Sequence, residues 1–161
     1  MTDKARMRPT PELRDFRHSL PMELLKAREA AMARFRPLLK EWGFTEQQWR
    51  VVRALADSEP MDAGQLASRS LLLAPSLTRI LRHLESEGIV RRSVDGGDQR
   101  RQIVSLTDSG RQRFEEAAPD SEAAYAQIES DFGRERLELL YGLLAEFYTR
   151  MEESKPPDRL K

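Results

Sequence analysis

Residues 74–114 read APSLTRILRHLESEGIVRRSVDGGDQRRQIVSLTDSGRQRF, and this stretch decides the fold. Pro75 suits the first turn of a helix, where its missing N–H costs nothing because that donor would have no helical partner. Leu77, Ile80, Leu81 and Leu84 then recur at helical spacing and predict one apolar stripe. Gly88 sits where that helix should stop, because glycine tolerates the left-handed conformation of a C-terminal cap. Two β-type runs follow, over residues 89–94 and 102–106. Asp95-Gly96-Gly97-Asp98 between them is strong turn chemistry, and Gln99-Arg100-Arg101 makes the hairpin tip basic. Thr107 is placed to cap a further helix. Helix, basic-tipped hairpin and helix together predict a mainly α fold with a small β-wing, a winged helix-turn-helix.

The first of these helices has a second face. At 100° per residue, Pro75, Arg79, Arg82 and Ser86 lie opposite the apolar stripe, flanked by Ser76, Thr78 and His83. Arginines and small hydroxyls near a helix N-terminus are what major-groove readout uses: Arg pairs with guanine edges, and Ser or Thr takes either donors or acceptors. Such a face alone reads rather as ordinary solvated surface. The adjoining basic hairpin turns the reading toward double-stranded DNA. Arg100 should project from the tip toward the minor groove or its phosphates, with Gln99 and Arg101 beside it. Asp98 should accept from a nearby arginine and hold the tip in shape.

Outward from this unit, Asp62 caps a short helix carrying Leu66 and Ala67, and residues 70–73 turn into the Pro75 helix. Leu71-Leu72-Leu73 is expected to plug the core behind that turn. Thr45-Glu46-Gln47-Gln48 predicts a capping box opening a helix to about Ala56, with Trp49, Val52 and Ala56 inward. Residues 20–42 predict a long first helix with Leu24, Ala31, Phe35, Leu38, Leu39 and Trp42 as its stripe, bent at Pro37. Arg28 falls within that stripe. A cation on an apolar face needs an anion, which a structural ion pair or an acidic ligand would both supply. Beyond the wing, residues 107–131 read helical, with Pro119 expected to kink or split the helix. Gly133 marks a break, and residues 134–153 form a last helix striped by Leu137, Leu140, Leu144, Phe147 and Met151. A two-fold dimer built from the first and last helices would bury both stripes and pair the recognition helices on successive major grooves.

The 161 residues suit one domain with a real core, and 27 basic residues balance 27 acidic ones. The charge is segregated. Residues 61–113 carry nine Lys/Arg against six Asp/Glu, whereas residues 114–153 carry three against eleven. Such a chain can meet a polyanion with its middle only. The sequence has no cysteine, which excludes disulfides and Cys-ligated metal sites. No metal site or cofactor motif is evident. His18 lies near the tail and His83 on the recognition face, and there is no phosphate loop, HExxH or nucleophile motif, so no catalytic residue is assigned. No apolar run is long enough to cross a membrane and no signal-peptide core is present. A cytoplasmic protein, associated with the nucleoid when on DNA, is the expectation. Residues 1–19 and 155–161 read as tails, the first with Arg6, Arg8, Arg14 and Arg17 among prolines.

Asp98-Gln99-Arg100-Arg101, followed by Val104-Ser105-Leu106-Thr107 and Gly110, resembles the wing signature of the MarR family of bacterial transcriptional regulators. The resemblance covers about residues 20–151. More narrowly, LLKAREAAMARFRPLLKEWGFTEQQWRVVRAL, APSLTRIL and GDQRR are similar to the branch of that family that regulates homoprotocatechuate degradation. Many family wings carry Arg two residues after the first Asp, where this chain has Gly97. The resemblance implies one domain over residues 20–154. Residues 20–44 and 115–153 would form dimerisation helices around a DNA-binding lobe at 45–114. It also implies a repressor of an aromatic-acid catabolic operon, released from a pseudo-palindromic operator by a homoprotocatechuate- or hydroxyphenylacetate-like acid. Family ligands sit between the dimerisation helices and the DNA-binding lobe, which here implies Arg28, Met32, Arg36, Trp49 and Arg53 as effector residues. The competing reading from another class is a dimeric module whose winged helix binds protein. Salt dependence separates the two, because only phosphate neutralisation makes affinity fall steeply with salt.

Overall fold

The helix predicted around Pro75 forms as α4 (Ala74–Ser86), with Pro75 in its first turn and Leu77, Ile80, Leu81 and Leu84 all buried. Burying each of these side chains contributes roughly 1.5–3 kcal/mol relative to exposure. The helix ends at Gly88, whose φ is +68°. Ile89 N–H donates to the Leu84 carbonyl at 2.8 Å and Gly88 N–H to that of Glu85 at 3.0 Å. These are the two bonds of a Schellman cap.

The computed structural model describes residues 15–58, 60–94 and 102–154. They fall into two compact units that divide between Arg34 and Phe35. In order, the elements are a 3₁₀ turn (Phe16–His18), α1 (Leu20–Glu41), α2 (Glu46–Ala56), β1 (Met61–Asp62), α3 (Ala63–Ser70), α4, β2 (Val90–Val94), β3 (Gln102–Leu106), α5 (Asp108–Phe132) and α6 (Arg134–Glu153). The fold is mainly α with one small sheet, as the sequence predicts. The wing tip, with Asp98, Gln99, Arg100 and Arg101, lies outside the described residues, as do Arg6, Arg8 and Arg14.

In the first unit Phe16, Leu20, Leu24 and Leu25 are exposed. In the second, α2 and α3 open on capping boxes. Gln48 N–H donates to Thr45 Oγ1 at 3.2 Å while Thr45 N–H donates to Gln48 Oε1 at 2.8 Å. Asp62 and Gln65 exchange the equivalent pair at 2.8 and 3.1 Å. Trp49, Val51, Val52 and Leu55 on α2 join Leu66 on α3 and the α4 stripe in one core. The sheet is antiparallel in the order β1-β3-β2, pairing Met61 with Val104 and Val90 with Leu106. Sequence reading misses β1, because two residues are too few to show an alternating pattern; it forms on the free edge of β3.

Two expectations are corrected. Leu71-Leu72-Leu73 does not plug the core: Leu71 is 71% and Leu73 78% exposed. Leu71 takes the left-handed cap of α3, with φ +51°, and Leu73 is the N-cap of α4. Capping geometry therefore turns both side chains outward, and α3 ends on the same pair of backbone bonds as α4, with leucine in place of glycine. Of the kink or split expected at Pro119, the split does not occur: α5 runs unbroken over 25 residues. Pro119 is exposed, so water can serve the carbonyl that its missing N–H leaves open, while Ala117, Ser121 and Ala124 stay packed on the inner face.

Candidate nucleic-acid interface and ligand cavity

The outward face of α4 is presented as the residue pattern predicts. Pro75, Thr78, Arg79, Arg82, His83 and Ser86 are exposed and Ser76 is half-buried. Thr78 Oγ1 donates back to the Ala74 carbonyl at 2.9 Å, which leaves its lone pairs outward as acceptors. An open groove of about 600 Å³ separates α4 from the N-terminus of α2 and is lined by Thr45, Gln47, Arg79, Ile80 and His83. Backbone N–H groups of the first turn of α2 thus border the same face.

The hairpin is tied to α4 by a contact that sequence reading does not find. Arg92 on β2 donates from Nε at 3.0 Å and from Nη2 at 2.5 Å to Glu85 Oε2 in the last turn of α4. Arg92 pairs with Val104 across the sheet, on the buried face, so its guanidinium emerges under the helix. That hydrogen bond holds the Glu85 carboxyl below the usual carboxylate range. A depressed carboxylate favours the folded state above its unfolded pKa and loses that contribution as pH falls through the folded value. The helix-to-wing clamp is therefore complete at neutral pH and loosens only in acid. A second junction lies at the hairpin base: Thr107 Oγ1 accepts from Gly110 N–H at 2.9 Å and donates to the Gly88 carbonyl at 2.5 Å.

The expected effector residues divide between the two units. In the first, Arg28 is not buried as its place on the stripe suggested. Its side chain is 46% exposed and donates to Glu29 at 2.6 Å, because its neighbours Leu24 and Leu25 are themselves exposed. Met32 is half-buried. In the second unit Arg36 pairs with Glu46 at 2.6 Å and is 42% exposed. Trp49 is 8% exposed and stacks on Phe114 with ring centroids 5.4 Å apart. Arg53 Nη1 donates to Tyr125 Oη at 3.0 Å, and Tyr125 packs edge-on against Phe35. Trp49, Arg53, Phe114 and Ala118 line a cavity of about 150 Å³. Sequence reading treats Phe114 and Tyr125 as apolar anchors only; nothing in their spacing shows that they meet residues of α2 some seventy positions away.

Together these features define the class: a winged helix-turn-helix protein whose recognition helix faces solvent and whose α2–α5 seam holds a small cavity walled by two aromatic rings and one arginine. Residues 44–101 match the MarR family. The chain is 48% identical to the homoprotocatechuate degradative operon repressor of Escherichia coli over 129 residues, 80% of this chain and 87% of that one. It is 43% identical to the HTH-type transcriptional regulator FarR of Neisseria gonorrhoeae over 128 residues, 80% and 88% of the two chains. Among solved structures, NadR in complex with 4-hydroxyphenylacetate superposes with a TM-score of 0.72 at 38% identity, over 91% of this chain and 97% of that one. The chain belongs to the MarR family of transcriptional regulators.

Arg79 is exposed one turn into α4, next in the chain to the buried Ile80. Arg79→Ala is expected to cost about 1–3 kcal/mol on the cognate operator and much less on random DNA, as loss of a base contact does. Parallel titrations on the two duplexes check this; an equal loss on both would make Arg79 a phosphate contact.

Proposed function

We propose that this chain is a dimeric repressor of an aromatic-acid catabolic operon, released from a pseudo-palindromic operator by a hydroxylated phenylacetic acid. The observation that carries the DNA reading is α4, whose one face is fully buried and whose other offers Ser76, Thr78, Arg79 and Arg82. Residues 45–114 act as the DNA-binding lobe, and the wing's Asp98, Gln99, Arg100 and Arg101 add phosphate and minor-groove contacts. Residues 20–44 and 115–153 supply the dimer, with both helix ends carrying exposed leucines. It works in the cytoplasm, where its operator is. No helix among the described residues is long and apolar enough to cross a membrane.

For the effector, Arg53 is the cation for a carboxylate and Trp49 the flat apolar wall for a ring. One guanidinium N–H of Arg53 is engaged by Tyr125, which orients the side chain and leaves other donors for an anion. The relatives named above support the ligand class: one is named for a homoprotocatechuate operon, and another is solved with 4-hydroxyphenylacetate. Ligand releases DNA only if it prefers a conformation whose recognition helices miss successive grooves.

Operator titrations at two salt concentrations, with and without 4-hydroxyphenylacetate, test the proposal. Wild type should lose affinity steeply with salt, and saturating ligand should weaken binding by roughly 5–150-fold. Arg53→Ala should bind operator as wild type does without ligand and ignore the acid. A stable Arg53→Ala dimer that releases DNA at the wild-type ligand concentration would sink the site.

A further inference from the structure

Ser121 Oγ is a buried hydroxyl without a hydrogen-bond partner, and Ser121 is 6% exposed. It lies on the inner face of α5 between Ala117 and Ala124 and lines the cavity of Trp49, Arg53 and Phe114. An alanine there would continue the small-residue face at no polar cost. Leaving a hydroxyl buried and unpaired is unfavourable, so such a group in a native protein needs an explanation. The cavity wall supplies one. Its volume of about 150 Å³ matches what accepts a single benzene ring in an apolar protein cavity. Asp57 and Glu122 also border the cavity, but both are exposed, so solvent screens their repulsion of an anion.

We propose that Ser121 is a specificity residue that reads a hydroxyl on the effector's aromatic ring. This rests on the effector reading above and adds to it the class of ring that is selected. The ring lies against Trp49 and Phe114, its carboxylate faces Arg53, and its phenolic hydroxyl exchanges a hydrogen bond with Ser121 Oγ. A phenol can donate and a serine can accept, or the reverse, so either polarity satisfies the pair. An unsubstituted ring leaves Ser121 unpaired and gains nothing from it. Sites that hydrogen-bond a ligand hydroxyl discriminate against analogues lacking it for this reason.

Calorimetric titration of the full chain and of Ser121→Ala with phenylacetate, 4-hydroxyphenylacetate and 3,4-dihydroxyphenylacetate tests this, alongside thermal melts without ligand. Ser121→Ala should bind at least one hydroxylated acid roughly two- to tenfold more weakly, the worth of one hydrogen bond, and phenylacetate unchanged. Its ligand-free melting temperature should not fall, because only an unpaired hydroxyl has been removed. Equal effects on all three acids, no effect on any, or a marked fall in melting temperature would each overturn the role of Ser121 while leaving the effector site standing. Failure of wild type to bind any of the three would overturn the effector reading and the role of Ser121 with it.

Discussion

Gly110→Ala is expected to be the most damaging alanine substitution among the described glycines. Gly110 sits in the first turn of α5, where the helix crosses the start of the hairpin. A Cβ built there lies 2.0 Å from the Ile89 carbonyl oxygen and 2.8 Å from its carbon. Both are backbone atoms, so no side chain can swing aside. They are also pinned from three directions. Ile89 N–H is held by the Schellman cap of α4, its carbonyl accepts from Thr107 N–H at 3.0 Å, and Thr107 Oγ1 caps Gly110. Relieving the clash means moving α5 away from the turn that joins the recognition helix to the wing. Overpacking costs typically 1–3 kcal/mol and occasionally more, and a backbone-to-backbone clash belongs at the top of that range. For a chain of this size about 3 kcal/mol lowers the melting temperature by roughly 10 °C. Operator binding should weaken as well, because the hairpin base is what shifts. Denaturant titration of the variant checks the first effect; an unchanged midpoint would mean that α5 can move freely on the hairpin.

Leu140→Glu combined with Leu144→Glu is expected to separate the proposed dimer with little harm to the protomer. On α6, Leu137 is buried, whereas Leu140, Leu144, Phe147 and Met151 continue its stripe and are 37–48% exposed within one chain. Leu139, Tyr141, Leu143 and Tyr148 beside them are exposed too. So much contiguous apolar surface on one helix marks an interaction face. Inserting carboxylates there costs a protomer little, because those positions already meet water. In a two-fold interface the same patch is buried on both subunits, so the new carboxylates of both copies are buried in one seam, and burying unpaired charges costs several kcal/mol. Losing the dimer uncouples two half-sites whose linkage multiplies affinity by about 10²–10⁴, and operator affinity should fall by that order. Light scattering and operator titration on one preparation measure both. A variant that stays dimeric, or that binds operator normally as a monomer, would reject the interface.

The local elements are legible without any structure. Caps at Thr45, Asp62, Thr107 and Gly88, the α4 stripe and the outward set around Arg79 all follow from interactions within a few residues, and each appears where the pattern predicts it. The trileucine fails for an instructive reason. Composition argued for burial, but a left-handed cap at Leu71 and the N-cap at Leu73 dictate direction, and capping geometry outweighs hydrophobicity at a turn. Arg28, which pairs with Glu29, shows a related limit, since a stripe on a helix predicts an apolar face without saying what covers it.

The sequence by itself determined the class of this protein, because helix periodicity, caps and turn chemistry are short-range and reappear in any chain that carries them. Tertiary structure alone decided the rest. Arg92 meets Glu85 because the hairpin folds back beneath α4, Gly110 must be glycine because Ile89 crosses it, and Ser121 joins Trp49, Arg53 and Phe114 because α5 packs along α2. Each of those contacts is set by how two finished elements meet, a geometry that no spacing along one of them encodes.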